Sequence, residues 1–560
     1  MWQHNYEPLA AGLGASALAA VVPIVVLFVM LGPLRRQAWQ AASAALAAAL
    51  LVAVAVFGMP VSLALISAAY GAAYGMFPIA WIVFASIMLY RLAVDAGKFE
   101  IIKRSVASLT DDRRLQALFI AFSFGAFIEG AAGFGAPVAV AGAMLAGLGF
   151  SPFYAAGICL LANTAPVAFG SIGIPVVTLA NVTGLPLLPL SAMVGRLCAM
   201  VSVIIPAYLI VVMAGWRRAR EVWPAIAACG LSFAGVQLYV SNRMGPELTD
   251  ILSSLTCIVV MALVLKFWKP RNVMRHETAA DAPAVAADSP FEIVMAWMPY
   301  LLLVVFVLAW GEPSIKGALD RWTDGLMPSF LPKAATGLNA VIVPGLHNTI
   351  MRMPPVVGAA SPYAATFTFN WLSASGSACF LAILATALVL RIRPSQVVRA
   401  YVVTLNQLKF ALLTIAAMLA LAYLMNYSGM TSTLGLVLAG TGDAFPFFSA
   451  VVGWMGVFLT GSDTSANALF GNLQVVTATA LQLNPILMAA VNSAAGVVGK
   501  MISIQSIAVA VAATGMSRDE ESRLFRFTFK HSVVLLIAIG ILSMLYAHVF
   551  PGLVPAMPPR

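Results

Sequence analysis

Apolar residues in this chain do not recur at the spacing of a soluble amphipathic helix or strand. They run on without interruption for the width of a bilayer. Leu9–Leu31 is one such run, and Ile293–Trp310, with Glu292 just before it, is another. A membrane span needs roughly 20 predominantly apolar residues. The runs predict spans near 11–31, 39–57, 61–90, 153–180, 191–214, 223–240, 249–268, 293–310, 371–390, 403–425, 485–513 and 533–550. Two further apolar stretches, 115–148 and 446–475, are crowded with glycine and small residues, and each has a carboxylate in its middle.

The polar breaks between runs give orientation. Arg35 and Arg36 mark one cytoplasmic loop, and Arg91, Lys98, Lys103, Arg104, Arg113 and Arg114 mark the next. Arg217, Arg218 and Arg220 follow, then Lys266, Lys269, Arg271 and Arg275, then Arg391, Arg393 and Arg399, then Arg518, Arg523, Arg526 and Lys530. Loops 58–60 and 426–445 carry no Lys or Arg, and 241–249 carries only Arg243, so these face outward. Three apolar stretches separate Arg114 from Arg217, yet both ends are cytoplasmic, so one stretch must enter and leave on the same side. The glycine-rich 115–148 suits that role. In the second half, 446–475 does the same from the outside, and 485–513 makes the single crossing. The fold class expected is an all-α polytopic membrane protein: about twelve transmembrane helices plus two re-entrant hairpins arranged as an inverted repeat.

The whole of 1–560 reads as a single transmembrane domain, with repeat cores near 115–214 and 446–513. Residues 276–290, rich in Ala, Asp and Pro, read as a flexible cytoplasmic linker. Residues 311–370 form a mixed outer segment whose fold the pattern leaves open.

Composition agrees: 61% of the 560 residues are hydrophobic and 9% charged, against roughly 25% charged in soluble chains. The net charge of +10 lies mostly in short loops and is explained by orientation, not nucleic-acid binding. Cys159, Cys198, Cys229, Cys257 and Cys379 all sit in apolar runs without metal or redox spacing and read as packing residues. The first run lacks a preceding basic region and reads as a retained helix.

Four constellations carry the polar chemistry. FGAFIEGAAGFGAPV, Phe124–Val138, sets Glu129 among Gly125, Gly130, Gly133 and Gly135. An ionised carboxylate in hydrocarbon is tolerated mainly where it faces protein or water. Glu129 is therefore a proton carrier or binding-site organiser, or else it caps a half-helix or pairs with a basic residue. Asn163, Thr164, Ala165 and Pro166 begin a segment running to Pro175, whose prolines and glycines should break a helix at mid-membrane. Broken helices expose N–H groups that attract carboxylates; the alternative is a kinked, well-packed helix. Leu459–Asn467 places Gly461, Ser462 and Asp463 at a depth where apolar helix is expected, unless it is an exposed outer loop. Finally, Asn492, Gly496, Lys500 and Ser503 share one helical face, with Ser493 alongside. Lys500 is either a counter-charge for an anionic substrate or for Asp463, or it snorkels to the inner interface. Asn163–Gly170 and Asn492–Gly499 both fit N-[ST]-A-x-x-[AV]-[FV]-G, which supports the repeat. There is no His-rich metal site, Walker loop or nucleophile elbow, so the chain reads as a secondary transporter with no cofactor or metal, not an enzyme.

At these strings the chain resembles the bacterial lactate permease family of L-lactate and glycolate permeases. The match includes FGAFIEGAAGFGAPVA (124–139), NTAPVAFG (163–170), GPELTDILSSL (245–255), MRMPPVV (351–357), NYSG (426–429), GVFLTGSDTSANALF (456–470), GKMIS (499–503) and LFRFTFKHS (524–532). The resemblance implies proton-coupled uptake of 2-hydroxymonocarboxylates, namely L-lactate, D-lactate or glycolate, across the bacterial inner membrane. Its partners are then a carboxylate substrate, protons and lipid, with no nucleic acid. That family carries proline after GKMIS where this chain has Ile504, which predicts a displaced or weaker break there. In the reading of the residues, substrate sits between the two broken segments, on Asn163, Thr164, Ser462, Asn492, Ser493 and Lys500. Glu129 or Asp463 carries the proton, and Gly130, Gly133, Gly135 and Gly461 shape the hairpin tips. A sodium-coupled carboxylate transporter and a passive anion channel are the alternatives.

Overall fold

Long apolar runs become long helices, and the glycine-rich stretches become helix ends. The computed structural model describes residues 1–133, 135–274, 288–328, 331–334 and 338–557. A short strand, β1 (Trp2–Gln3), precedes α1 (Leu13–Leu31), α2 (Ala38–Ala55) and α3 (Val61–Tyr74). A π-helical stretch leads from α3 into α4 (Trp81–Asp95), and α5 (Lys98–Ala107) follows. α6 (Arg113–Gln116), a second π-helical stretch and α7 (Gly125–Ala131) make one rod, which α8 (Ala136–Gly147) follows. Next come α9 (Pro152–Ala162), α10 (Gly170–Thr183), α11 (Leu187–Ala214), α12 (Trp216–Glu221), α13 (Trp223–Arg243) and α14 (Thr249–Phe267). α15 (Pro290–Gly311) and α16 (Pro313–Leu326) lead to β2 (Ala340–Ile342), β3 (Ile350–Arg352), β4 (Ser361–Pro362) and β5 (Thr366–Thr368). The chain ends with α17 (Ser375–Val389), α18 (Pro394–Tyr427), α19 (Met430–Ala439), α20 (Phe445–Thr460), α21 (Asp463–Ala480), α22 (Pro485–Lys500), α23 (Ile504–Thr514) and α24 (Arg518–Met544).

Among the described residues twelve helices are long and apolar enough to cross a membrane, or thirteen with the bent pair α9–α10 taken as one span. The rod Arg113–Ala131 is wholly buried within the protein, which is why its sequence is apolar all round.

The two glycine-rich stretches are helical hairpins anchored at opposite ends of the molecule. Arg113 lies over the Phe150 ring at 4.9 Å, so the rod and α8 start and finish together. Arg114 bonds the carbonyls of Arg218 and Asn272, and Arg523 lies over Phe153 at 4.5 Å, which gathers the arginine-rich loops at that same end. At the other end, His548 meets the Asp443 carbonyl at 3.0 Å and Asn484 donates to the Pro555 carbonyl at 3.1 Å. That brackets the start of α20 and the finish of α21, with α22 and α23 running between the two ends.

The break expected within 153–180 is present, with α9 and α10 meeting at 64° across Pro166, but other expectations do not hold. The span expected at 371–390 is the 15-residue α17. Ser503 does not share a face with Asn492 and Lys500, since α22 ends at Lys500 and Ser503 N-caps α23 through its hydroxyl. The second break therefore follows its N-[ST]-A motif, whereas the first lies inside its copy. Residues 311–370 hold α16 and the strands β2–β5, which with the N-terminal β1 form two small sheets, β1–β3–β4 and β2–β5. The linker expected at 276–290 falls for its greater part, 276–287, outside the described residues.

Candidate functional site

Four helices begin at one place. α8 starts at Gly135, α21 at Ser462, α23 at Ser503, and the regular part of α10 follows Gly173. Each start follows from local sequence. Gly135 and Gly461 take the left-handed backbone, φ +82° and +71°, that reverses each hairpin. Ser462 and Ser503 accept from the N–H groups of Ser465 and Ser506, as N-caps do. Before α10 the chain passes through Ser171, Ile172 and Gly173 with φ of +47°, +59° and +73°. Left-handed backbone costs an L-residue roughly 1–2 kcal/mol. Packing holds it there: Ser171 Oγ donates to the Ala132 carbonyl at 2.9 Å, and a Cβ on Gly173 would fall 2.6 Å from Pro246.

Together these helix starts enclose a cavity of about 170 Å³, walled by Glu129, Gly170, Asp463 and Lys500 and by Gln505 and Ser506 of α23. Drug-sized pockets are roughly 300–1,000 Å³, so this one suits a small solute. Each helix N-terminus contributes free N–H groups and about half a positive charge. Lys500, in the last turn of α22, adds a full one. These positive ends and Lys500 attract an anion, against the two carboxylates Glu129 and Asp463 in the same wall while these are ionised.

Lys500 is not at the interface. It is buried, and its Nζ lies 2.7 Å from Glu129 Oε1. The pair joins the first hairpin to the second half of the chain. Glu129 Oε2 has no hydrogen-bond partner among the described residues. A Cβ on Gly170 would come within 2.7 Å of Glu129 Oε1, so only glycine leaves the carboxylate its place. Asp463 is buried at the first turn of α21, where the helix dipole favours its charge. Ser493 Oγ donates to its Oδ2 at 2.7 Å and Asn467 Nδ2 at 3.2 Å.

The structure thus brings Glu129, Ser462, Asp463, Lys500, Gly135 and Gly461 to one cavity. Other candidates stand behind it. Asn163 borders a narrow cleft on another side of Lys500, and its Oδ1 is unpartnered. Thr164 donates to the Leu161 carbonyl within its own helix end. Asn492 bonds Asn467 and Gln474 in the α20–α22 interior, and Ser493 reaches the cavity only through Asp463. Gly130 packs on α14 and Gly133 on Ser171.

Sequence reading missed Asn467, whose amide also donates to the Pro175 carbonyl and ties α21 to α10. It missed Gln505 and Ser506, which look like ordinary helix residues. It missed Asp250, buried in α14 against Gly130.

Comparison with known proteins gives one answer. Residues 16–550 match the family model described as L-lactate permease. The chain is 48% identical over 567 residues to the L-lactate permease of Bacillus subtilis (strain 168), covering 99% of this chain and 100% of that one. It is 46% identical over 568 residues to the glycolate permease GlcA of Escherichia coli (strain K12), covering 99% of each. It is 44% identical over 566 residues to the L-lactate permease of Salmonella typhimurium, covering 99% of this chain and 100% of that one.

Proposed function

The chain belongs to the L-lactate permease family, and on that premise we propose that it is a proton symporter for L-lactate, D-lactate or glycolate. It is a multi-pass bacterial inner-membrane transporter, not an enzyme. The observation that carries the reading is the Lys500–Glu129 pair in the wall of a cavity ringed by helix N-termini.

The substrate carboxylate and Glu129 compete for one ammonium. With Glu129 ionised, a second carboxylate at about 5 Å meets repulsion of roughly 3 kcal/mol at an effective dielectric of about 20. A proton on Glu129 removes that repulsion and frees Lys500 for the substrate. Anion and proton then occupy the site together, with no net change in buried charge. Asp463, held by Ser493 and Asn467, shapes the opposite wall and is the second candidate for the proton. Substrate hydroxyl and carboxylate would meet Ser462 and the N–H groups of α8, α10, α21 and α23.

In the same reading, the hairpins 113–147 and 445–480 are re-entrant and form, with the broken helices after them, an inverted repeat over about 115–214 and 446–513. Their anchorage at opposite ends supports this.

The test is uptake of labelled lactate by proteoliposomes under an imposed pH gradient. Accumulation should follow the gradient and be unchanged when choline replaces Na⁺. Accumulation that needs Na⁺ transfers the reading to a sodium symporter, equilibration without accumulation to a channel. No uptake of any 2-hydroxy acid sinks it.

A further inference from the structure

Two carboxyl groups line this cavity with one ammonium, and a third, Asp250, stands behind Glu129 with no task in the reading above. Asp250 lies on α14, 1% exposed, and among the described residues neither of its side-chain oxygens has a hydrogen-bond partner. Glu129 has Lys500, and Asp463 has Ser493, Asn467 and a helix N-terminus. A buried charge without pairing or donors costs several kcal/mol. Asp250 meets that cost only by holding a proton.

Asp250 also stands beside the pair. A Cβ on Gly130, the residue after Glu129, would lie 2.8 Å from the Asp250 Cβ. Glu129 and Lys500 are the charged groups whose field it feels, and Cys198 of α11 faces it as well. α10 contains no charged residue, and α13 contains only Arg243, at its outer end. Glu129 Oε2, the oxygen not taken by Lys500, is the free acceptor in the neighbourhood. One turn before Asp250, Glu247 lines a separate cavity of about 560 Å³ with Arg243 and Lys316.

We propose that Asp250 is the proton store of the transport site, positioned to load Glu129. The inference rests on the proton-coupled reading above. In the step, the Asp250 O–H bond breaks and an O–H bond forms at Glu129 Oε2. Lys500 is released to the substrate carboxylate, and Asp250, left as a carboxylate, takes up one proton from the Glu247 side. One proton is consumed per substrate anion.

Asp250→Asn and Asp250→Ser, each in proteoliposomes, test this. Lactate exchange at equal pH should persist. Accumulation driven by a pH gradient should fall about tenfold or more, the scale of a lost proton-transfer group, and the pH profile of uptake should flatten. Asp250→Glu should restore both. Wild-type accumulation in either folded variant overturns the proposal, and so does loss of exchange together with accumulation in a monodisperse variant. Infrared spectra of the wild type decide independently of variant folding. A neutral carboxylic-acid carbonyl band that shifts on adding lactate is expected, and absence of such a band at neutral pH overturns the proposal. If the wild type itself ignores the pH gradient, the symport reading has failed instead.

Discussion

At the residue scale the centre of the protein is a buried ion pair under competition. Breaking such a pair by removing one partner leaves a bare charge and costs roughly 3–5 kcal/mol, whereas an apolar pair of similar size is often neutral. Lys500→Met should therefore lower the thermal midpoint, and Glu129→Gln/Lys500→Met should recover most of it without recovering transport. A thiol-reactive dye reads this directly, because all five cysteines are free and buried in the native fold. An additive loss in the double variant would remove the pair as a stability element. For function, Glu129→Gln should abolish uphill accumulation while lactate exchange continues. Wild-type accumulation by Glu129→Gln would take that carboxylate out of the mechanism. Arg114 shows how residue identity alone misleads. Its position in a basic loop marks orientation, yet the side chain is 1% exposed and clamped by Asp112, Glu221 and two carbonyls at the hairpin base.

At the element scale, glycine and serine decide where helices start. Gly170→Ala places a methyl group 2.7 Å from Glu129 Oε1 and must displace the ion pair. Initial uptake should fall by about tenfold or more, since a misplacement of about 1 Å costs about a hundredfold in related cases. Uptake kinetics at wild-type levels would show that the break tolerates a side chain. The N-terminal strand offers a different test. β1 pairs with β3, and His4 lies under it with Nε2 2.9 Å from the Tyr427 carbonyl. Burial pushes the His4 imidazole down to about 4, against the opposing pull of that hydrogen bond. The undocked segment takes its proton at about 6.5, so it binds more protons than the docked one in between. Docking is then fully stable above about pH 6.5 and weakens as pH falls toward 4. Hydrogen exchange at Trp2 and His4, whose amides bond Thr349 and Met351, should quicken over that window. His4→Phe should abolish the pH dependence. The hairpin turns and the first break were legible as glycine and proline clusters. The second break was expected near GKMIS only through the family resemblance, because Met501–Ser503 contains neither glycine nor proline.

At the scale of the whole molecule, the two hairpins rise from opposite ends and meet at one cavity. Cysteine introduced at exposed Ser108 should label only from the cytoplasm, and at exposed Ala444 only from outside. Labelling of both from one side would overturn the opposed arrangement. The same opposition explains why so much of the interior is glycine, alanine and serine. Helix ends from several segments meet at one cavity only if they pack closely against other backbones, and small residues permit that.

Hydrophobic run length and loop charge are local properties, and they alone determined that this chain is a helical, many-span membrane protein with its basic loops on one side. Motif strings added the family, and with it the proposed cargo. What needed the tertiary structure was every relation between distant residues. Glu129 and Lys500 are 371 positions apart, and no periodicity connects them. Four helix starts from different parts of the chain enclose one cavity only because the fold points them inward. Asp250 carried no reading of its own in the sequence, and only packing shows it buried and, among the described residues, without a hydrogen-bond partner. Local patterning reports how each segment meets lipid or water, whereas the site is made of segments meeting one another.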